Sequence, residues 1–310
     1  MWSRRSLPLL LALWVAATVS ACGSRQALEP AVIVDENLER VSRGAGRAFG
    51  KGAFEQAIDL YRETLEYAYA RDDREIIVDT QYNLAVVLLR TGAMEEARAA
   101  VDGAKAELAR SSQAIPADLQ LLDATLLFHA GQVSAAWELS EHALAKAAEV
   151  EPDVLARLHF LRGLIAAEQG DQAQLRTSLA ALEAADSGAL EVDQAELRGR
   201  LEMAERNWGA AVAAFVKAAA LQQEALDYPN MARALAMAGE ASVQMGELRE
   251  AAIFFFRAGR SAVRLDMAEQ ARQWLTWAQQ LAQEIGDTRM RMDIMVHLIT
   301  LQARESGQDQ

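Results

Sequence analysis

The sequence predicts an all-α chain in which helix-turn-helix units stack into a right-handed solenoid of about six to seven units, ending in one further C-terminal helix. Three observations predict it. The first is an interval ladder within Tyr82–Ala104: small Ala85 is followed seven residues later by Gly92, five later by Ala97, four later by Val101 and three later by Ala104. Small residues let two helices approach closely, Gly supplies the turn, and the bulky residue fills the seam between neighbours. The second is recurrence. Ala57, Ala97, Ala136, Leu175, Ala211 and Ala251 hold the same ladder position at intervals of 40, 39, 39, 36 and 40 residues. The third is composition, 52% hydrophobic but only 6% aromatic, which suits close-packed helices. A solenoid is one quasi-one-dimensional array, so 310 residues need not mean two domains.

Taken in order, residues 1–21 read as a signal peptide. A basic start at Arg4 and Arg5 precedes an apolar run from Leu7 to Val19, too short to span a bilayer, and small residues follow it. Val19-Ser20-Ala21-Cys22 resembles a bacterial lipobox, and that resemblance implies cleavage before Cys22 and lipid on the new N-terminus. The plainer alternative is an ordinary leader followed by an incidental cysteine. Cys22 is the only cysteine, so no internal disulfide can form. Gly23 stands where an Asp would imply retention in the inner membrane, so the resemblance implies the outer membrane, facing the periplasm. Export by a Sec or a twin-arginine route is left open by Arg4-Arg5. Residues 22–35 form a tether broken by Pro30, whose Ala31–Val34 run reads either as an entry staple for the first helix or as a strand lying in the protein's own groove.

Residues 36–287 carry the repeats. The ladder runs through Ala45, Gly52, Ala57 and Tyr61, then Ala85 to Ala104, then Ala124, Gly131, Ala136 and Ala143. It continues through Gly163, Gly170, Leu175 and Leu179, then Gly199, Ala211, Phe215 and Ala218, then Gly239, Gly246, Ala251, Phe255 and Ala258. A last set, Gly259, Asp266, Ala271, Leu275 and Ala278, starts where the previous one ends, so one helix is expected to serve both. Pro116, Pro152 and Pro229 mark unit starts, because proline is tolerated in a helix's first turn and not inside it. Residues 288–310 comprise an amphipathic helix expected to cap the open end, and a polar tail.

On these residues the chain resembles the tetratricopeptide repeat family. The departures are a period longer than the usual 34 residues, Ser140 at a bulky seam position, Leu175 and Leu182 at small ones, and Arg206 in place of a turn Gly. The resemblance implies a scaffold that binds protein partners.

Charge and chemistry narrow the functional classes. The formal charge is −13, or −15 without the leader, and no basic cluster interrupts it, which argues against nucleic acid as a partner. The four histidines show no i, i+4 metal spacing; His129, at a helix end, is expected to be favoured by the helix dipole. No phosphate loop, nucleophile elbow or Cys-His arrangement occurs, so neither catalysis nor a cofactor is expected.

In such a solenoid the first helix of every unit lines the concave side. Fixed offsets from the small anchors, three before, one after and four after, select Ser42, Gly46 and Phe49, then Tyr82, Val86 and Leu89, then Leu121, Thr125 and Phe128, then Phe160, Leu164 and Ala167. The alternative is that some of these are core, because a longer period lengthens and tilts helices. The expected groove is apolar through the fourth unit and charged at Glu196, Arg200 and Glu240. The Lys and Asn of the family's peptide-terminus clamp are missing, which favours an amphipathic helix or apolar segment as occupant. Phe254-Phe255-Phe256 is too wide an arc for one buried stripe, so at least one ring is expected to turn outward, and Trp274 with Trp277 gives either a C-terminal core or a self-association patch. The expected role is an envelope adaptor that assembles a pilus, secretion or barrel machine, with other envelope proteins as partners. The alternative is a transporter-associated lipoprotein, homo-oligomeric in type, that encloses a small apolar molecule. A closed pocket around Tyr82, Phe128 and Phe160 would favour the second, an open groove the first.

Overall fold

The computed structural model describes residues 35–146, 150–185 and 190–308. The leader, Cys22 and the Ala31–Val34 segment lie outside them. Fourteen helices and no strand occur among the described residues: α1 (Glu36–Gly50), α2 (Phe54–Ala70), α3 (Arg74–Thr91), α4 (Met94–Arg110), α5 (Ala117–His129), α6 (Val133–Leu144) and α7 (Pro152–Gln169). The second half comprises α8 (Gln172–Ala184), α9 (Glu191–Ala204), α10 (Trp208–Glu224), α11 (Tyr228–Met245), α12 (Leu248–Arg264), α13 (Ala268–Glu284) and α14 (Thr288–Gln308). Each packs chiefly on its neighbours in sequence, the pattern of a helical-hairpin solenoid.

The ladder residues explain the hairpins. Gly92 ends α3 with φ 81°, a left-handed angle that a side chain would resist, and its N–H closes the turn on Leu88 and Leu89. Arg206, where a Gly was expected, takes φ 62°, so the turn geometry survives without the residue that favours it. Beyond the turn, Ala57, Ala97, Ala136 and Ala211 are fully buried, as is Phe215. Ser140, also fully buried, donates its hydroxyl to the Trp137 carbonyl, so the small polar residue is satisfied where a bulky one was expected. Pro152 and Pro229 sit in the first turns of α7 and α11, and Pro116 immediately precedes α5.

The seams differ in chemistry along the array. At the C-terminal end glycines face large side chains: a methyl added to Gly199 would come within 2.5 Å of the Phe215 ring, and one on Gly259 within 2.7 Å of Leu275. In the middle, α4 meets α5 through the buried Asp123 carboxylate, which accepts from Arg98 and, at 2.8 Å, from Lys105. At the α6/α7 seam the guanidinium of Arg162, 8% exposed, lies 3.6 Å above the Trp137 ring.

Helix α12 carries both Ala258 and Gly259 into the core and packs on α11 and α13, as α10 packs on α9 and α11. Phe254 and Phe255 are buried there, with Phe255 edge-on to Trp277 at 5.1 Å. Phe256 turns off that stripe and is covered by His297 of α14. The terminal helix departs from the expected cap. Its inner face buries Ile294 and Leu301, but its outer face exposes Met292, Met295, Val296 and Ile299, where a solenoid end would carry polar residues.

Candidate concave binding surface

Helices α3 and α11 approach each other across a groove. The clearest sign is Arg90, in the last turn of α3, whose guanidinium lies 3.4 Å from the carboxylate of Asp227, the N-cap of α11, although 137 residues separate them. The same guanidinium stands 6.0 and 5.8 Å from the ring centres of Phe49 and Phe54. Asp227 accepts from the Asn230 amide at 2.9 Å, and the Asn230 carbonyl oxygen accepts from Arg233 at 2.8 Å, carrying the polar chain inward along α11. Arg233 in turn acts on His129 of α5. Burial and this nearby positive charge hold the imidazole below its usual range, so His129 is disfavoured as a cation, the opposite of the helix-end expectation.

Two open clefts lie on this side. The first, about 250 Å³, is lined by Val78, Asp79, Tyr82 and Asn83 of α3 with Pro116, Asp118 and Leu119. The second, about 330 Å³, is lined by Glu196 and Arg200 of α9, by Asn230, Arg233, Met237 and Glu240 of α11, and by Trp274 of α13. Arg200 donates through Nε and Nη2 to Glu196 Oε1 at 3.1 and 2.7 Å.

Of the sequence-predicted residues, Tyr82 lines the first cleft and Arg200 the second. Phe49, Val86 and Leu89 are half-buried against the N-terminal core, Phe128 against the core of α5–α7, and Phe160 and Leu164 against that of α7–α9. Neither of these two clefts brings Tyr82, Phe128 and Phe160 together. Cys22 lies outside the described residues.

A row of charges escaped the sequence reading. Six residues before the first small anchor stand Glu39, Asp79, Asp118, Arg157, Asp193 and Arg233 in the first six units; the set anchored at Gly259 has Ile253 there. Seven residues is two helical turns, so this row lies on the same stripe as the row one after the anchor, with Val86, Leu164, Arg200 and Glu240. The interval count could have found it. Two of its carboxyls are raised: burial raises Asp79, and the neighbouring Glu75 and Asp118 raise it further. Burial among protein walls pushes Asp193 up to about 6, with Glu196 adding to the rise and Arg157 opposing it. Glu240, accessible to water yet walled by the groove, is also raised by burial, against the pull of Arg200. Tyr82 rises for the same first reason, with Asp118 adding to it.

Among the described residues no group of three His, Cys, Asp or Glu is placed to hold a metal ion, and no helix is long and apolar enough to cross a membrane.

No protein-family model and no curated protein matches the chain. Solved structures do. A Rap protein complexed with Competence and Sporulation Factor is similar over 87% of this chain and 76% of its own, with TM-score 0.59 and 15% identity. A signal-transduction ATPase with a tetratricopeptide repeat sensor from Pyrococcus horikoshii is similar over 89% of this chain, with TM-score 0.56 and 16% identity. This chain spans 44% of that ATPase's length. At such identities the likeness concerns fold, and the conclusion from helix order, hairpin seams and these neighbours together is that the chain is a tetratricopeptide-repeat-like solenoid.

Proposed function

We propose that this protein is a non-enzymatic scaffold of the bacterial cell envelope, held at the outer membrane by lipid on Cys22 and facing the periplasm. It holds a segment of another envelope protein in its groove. The observation that carries this reading is the concave surface itself. Half-buried apolar side chains, Tyr82, Val86 and Leu89 and then Phe128, Phe160 and Leu164, run beside a row of charges whose first three members are all acidic. An occupant with an apolar face flanked by basic residues meets both rows. The similar Rap structure holds a factor in complex, which supports a binding role for this architecture. The two clefts are open and separate, which suits a protein segment better than one enclosed small molecule. Assembly of a pilus, secretion or barrel machine is the role such a scaffold would have.

The test is crosslinking and mass spectrometry of the full lipoprotein in its native envelope, with Cys22→Ala as the anchor control. Asp79→Asn combined with Asp118→Asn should weaken capture of the enriched partner about tenfold, because two acidic contacts are lost while the raised Asp79 is relieved. The helical circular-dichroism signal should not change. Undiminished capture would remove the groove from the proposal.

A further inference from the structure

The second cleft holds two charges that the protein itself leaves unanswered. Of its four charged side chains, Glu196 and Arg200 neutralise each other at 2.7 Å. Arg233 and Glu240 remain. Both are exposed, and neither forms an ion pair among the described residues; Arg200, the cation that acts on Glu240, is already spent on Glu196. Arg233 is held ready for a partner. Its Nη1 donates to the Asn230 side-chain oxygen at 2.8 Å, Asn230 donates to Asp227 at 2.9 Å, and Asp227 is met by Arg90 from across the groove. Most of the guanidinium N–H groups stay available to a carboxylate, the acceptor that fits their fork.

Seven residues separate Arg233 from Glu240, which puts them on one face of α11, about 10 Å apart along its axis. Met237 stands between them on that stripe, and the buried Trp274 of α13 completes the lining. The first cleft is different: its charged lining is Asp79 and Asp118 alone, so it suits a cation. The second offers one free charge of each sign at a fixed separation. We infer that the second cleft reads a dipolar motif in the segment the groove holds, a helix that sets an acidic side chain on Arg233, a basic one on Glu240 and apolar residues between them on Met237 and Trp274. This rests on the groove reading proposed above and adds a residue code to it. In a helix lying along α11 the two charges stand seven residues apart, the spacing of Arg233 and Glu240 themselves. The motif also sets direction, because turning the same helix end for end brings acid to Glu240 and base to Arg233.

Isothermal titration calorimetry tests this with the full chain carrying Cys22→Ser. The probe is a helical peptide of alanine and glutamine, acetylated and amidated so that no terminal charge takes part, carrying Glu and Lys seven residues apart with leucines between them. Replacing either peptide charge by Gln should weaken binding about tenfold. Arg233→Gln and Glu240→Gln, at exposed positions and with helicity unchanged, should each do the same. Arg233→Glu should reverse the preference, taking a peptide with Lys at both places over the parent peptide. The peptide-side changes keep the test sound even if a protein variant misfolds. No binding of the parent peptide overturns the inference, as does equal affinity without its charges or with the charges four residues apart. Affinity that falls in Asp79→Asn but not in Arg233→Gln puts the peptide in the first cleft: it overturns the dipolar code and leaves the groove reading standing. The groove reading itself fails on a separate result, undiminished capture of the native partner.

Discussion

The middle of the solenoid and its C-terminal end solve the same packing problem with opposite chemistry. Between α9 and α13 the seams are dry: Gly199 lies under Phe215, Gly239 under Phe255 and Gly259 under Leu275, so aromatic and aliphatic groups fill space that only glycine leaves. Between α4 and α7 the seams are polar and shorter. Asp123 is bridged by Arg98 and Lys105, and Arg162 lies on Trp137. A dry seam gains from dispersion and burial whatever the ionic strength; a charged one depends on partners staying in place. The middle is therefore where the array should flex or open first, and the latch between Arg90 and Asp227 spans that stretch.

The largest expected effect is at the dry end. Phe215→Ala removes a fully buried ring from the α9/α10 seam and should cost about 3–5 kcal/mol, read as a lower denaturation midpoint that is insensitive to added salt. Asp123→Ala should cost less, about 1–3 kcal/mol, since Arg98 and Lys105 are partly exposed and water can reach them. Its signature is different: hydrogen exchange should quicken in α4 and α5 before it does in α9–α13. Equal quickening throughout would mean that the two regions unfold as one and the contrast has no energetic content.

The smallest effect concerns the groove and has the opposite sign. The Asp193 carboxyl is raised from 3.8 to about 6 by burial, so its neutral form is favoured in the folded state. The folded protein then binds more protons than the unfolded chain between these values, and stability falls as pH rises through that window. Asp193→Asn should match the parent below pH about 4 and exceed it by about 1–2 kcal/mol above pH about 6, in thermal melts across that range. A constant difference at all pH values would mean that the carboxylate is not destabilised by the groove.

How far the sequence could be read differs between fold and surface. The ladder of small, turn and bulky residues placed the hairpins because those positions answer to local constraints: Gly92 to a left-handed angle, Ala97 to a seam with no room for more. The groove was read less completely. Tyr82 and Arg200 reach clefts, yet Asp79, Asp118 and Asp193 were passed over because the offsets counted, three before, one after and four after each anchor, leave out the position six before it. His129 was misjudged for another reason. Its helix end is local, but the burial that chiefly disfavours its charge is tertiary, and Arg233 adds to it from α11, about a hundred residues on.

By itself, then, the sequence determined the units, their turns, their register and the overall acidity, all properties of residues within about 40 positions of one another. Tertiary structure alone decided that α3 meets α11 across the groove, that Tyr82 and Arg200 line separate open clefts, and that α14 keeps an uncovered apolar face. The physical reason is that a repeat's own hairpin is set by local sterics, whereas the curl of the array sums small rotations at every seam, and no single stretch of sequence holds that sum.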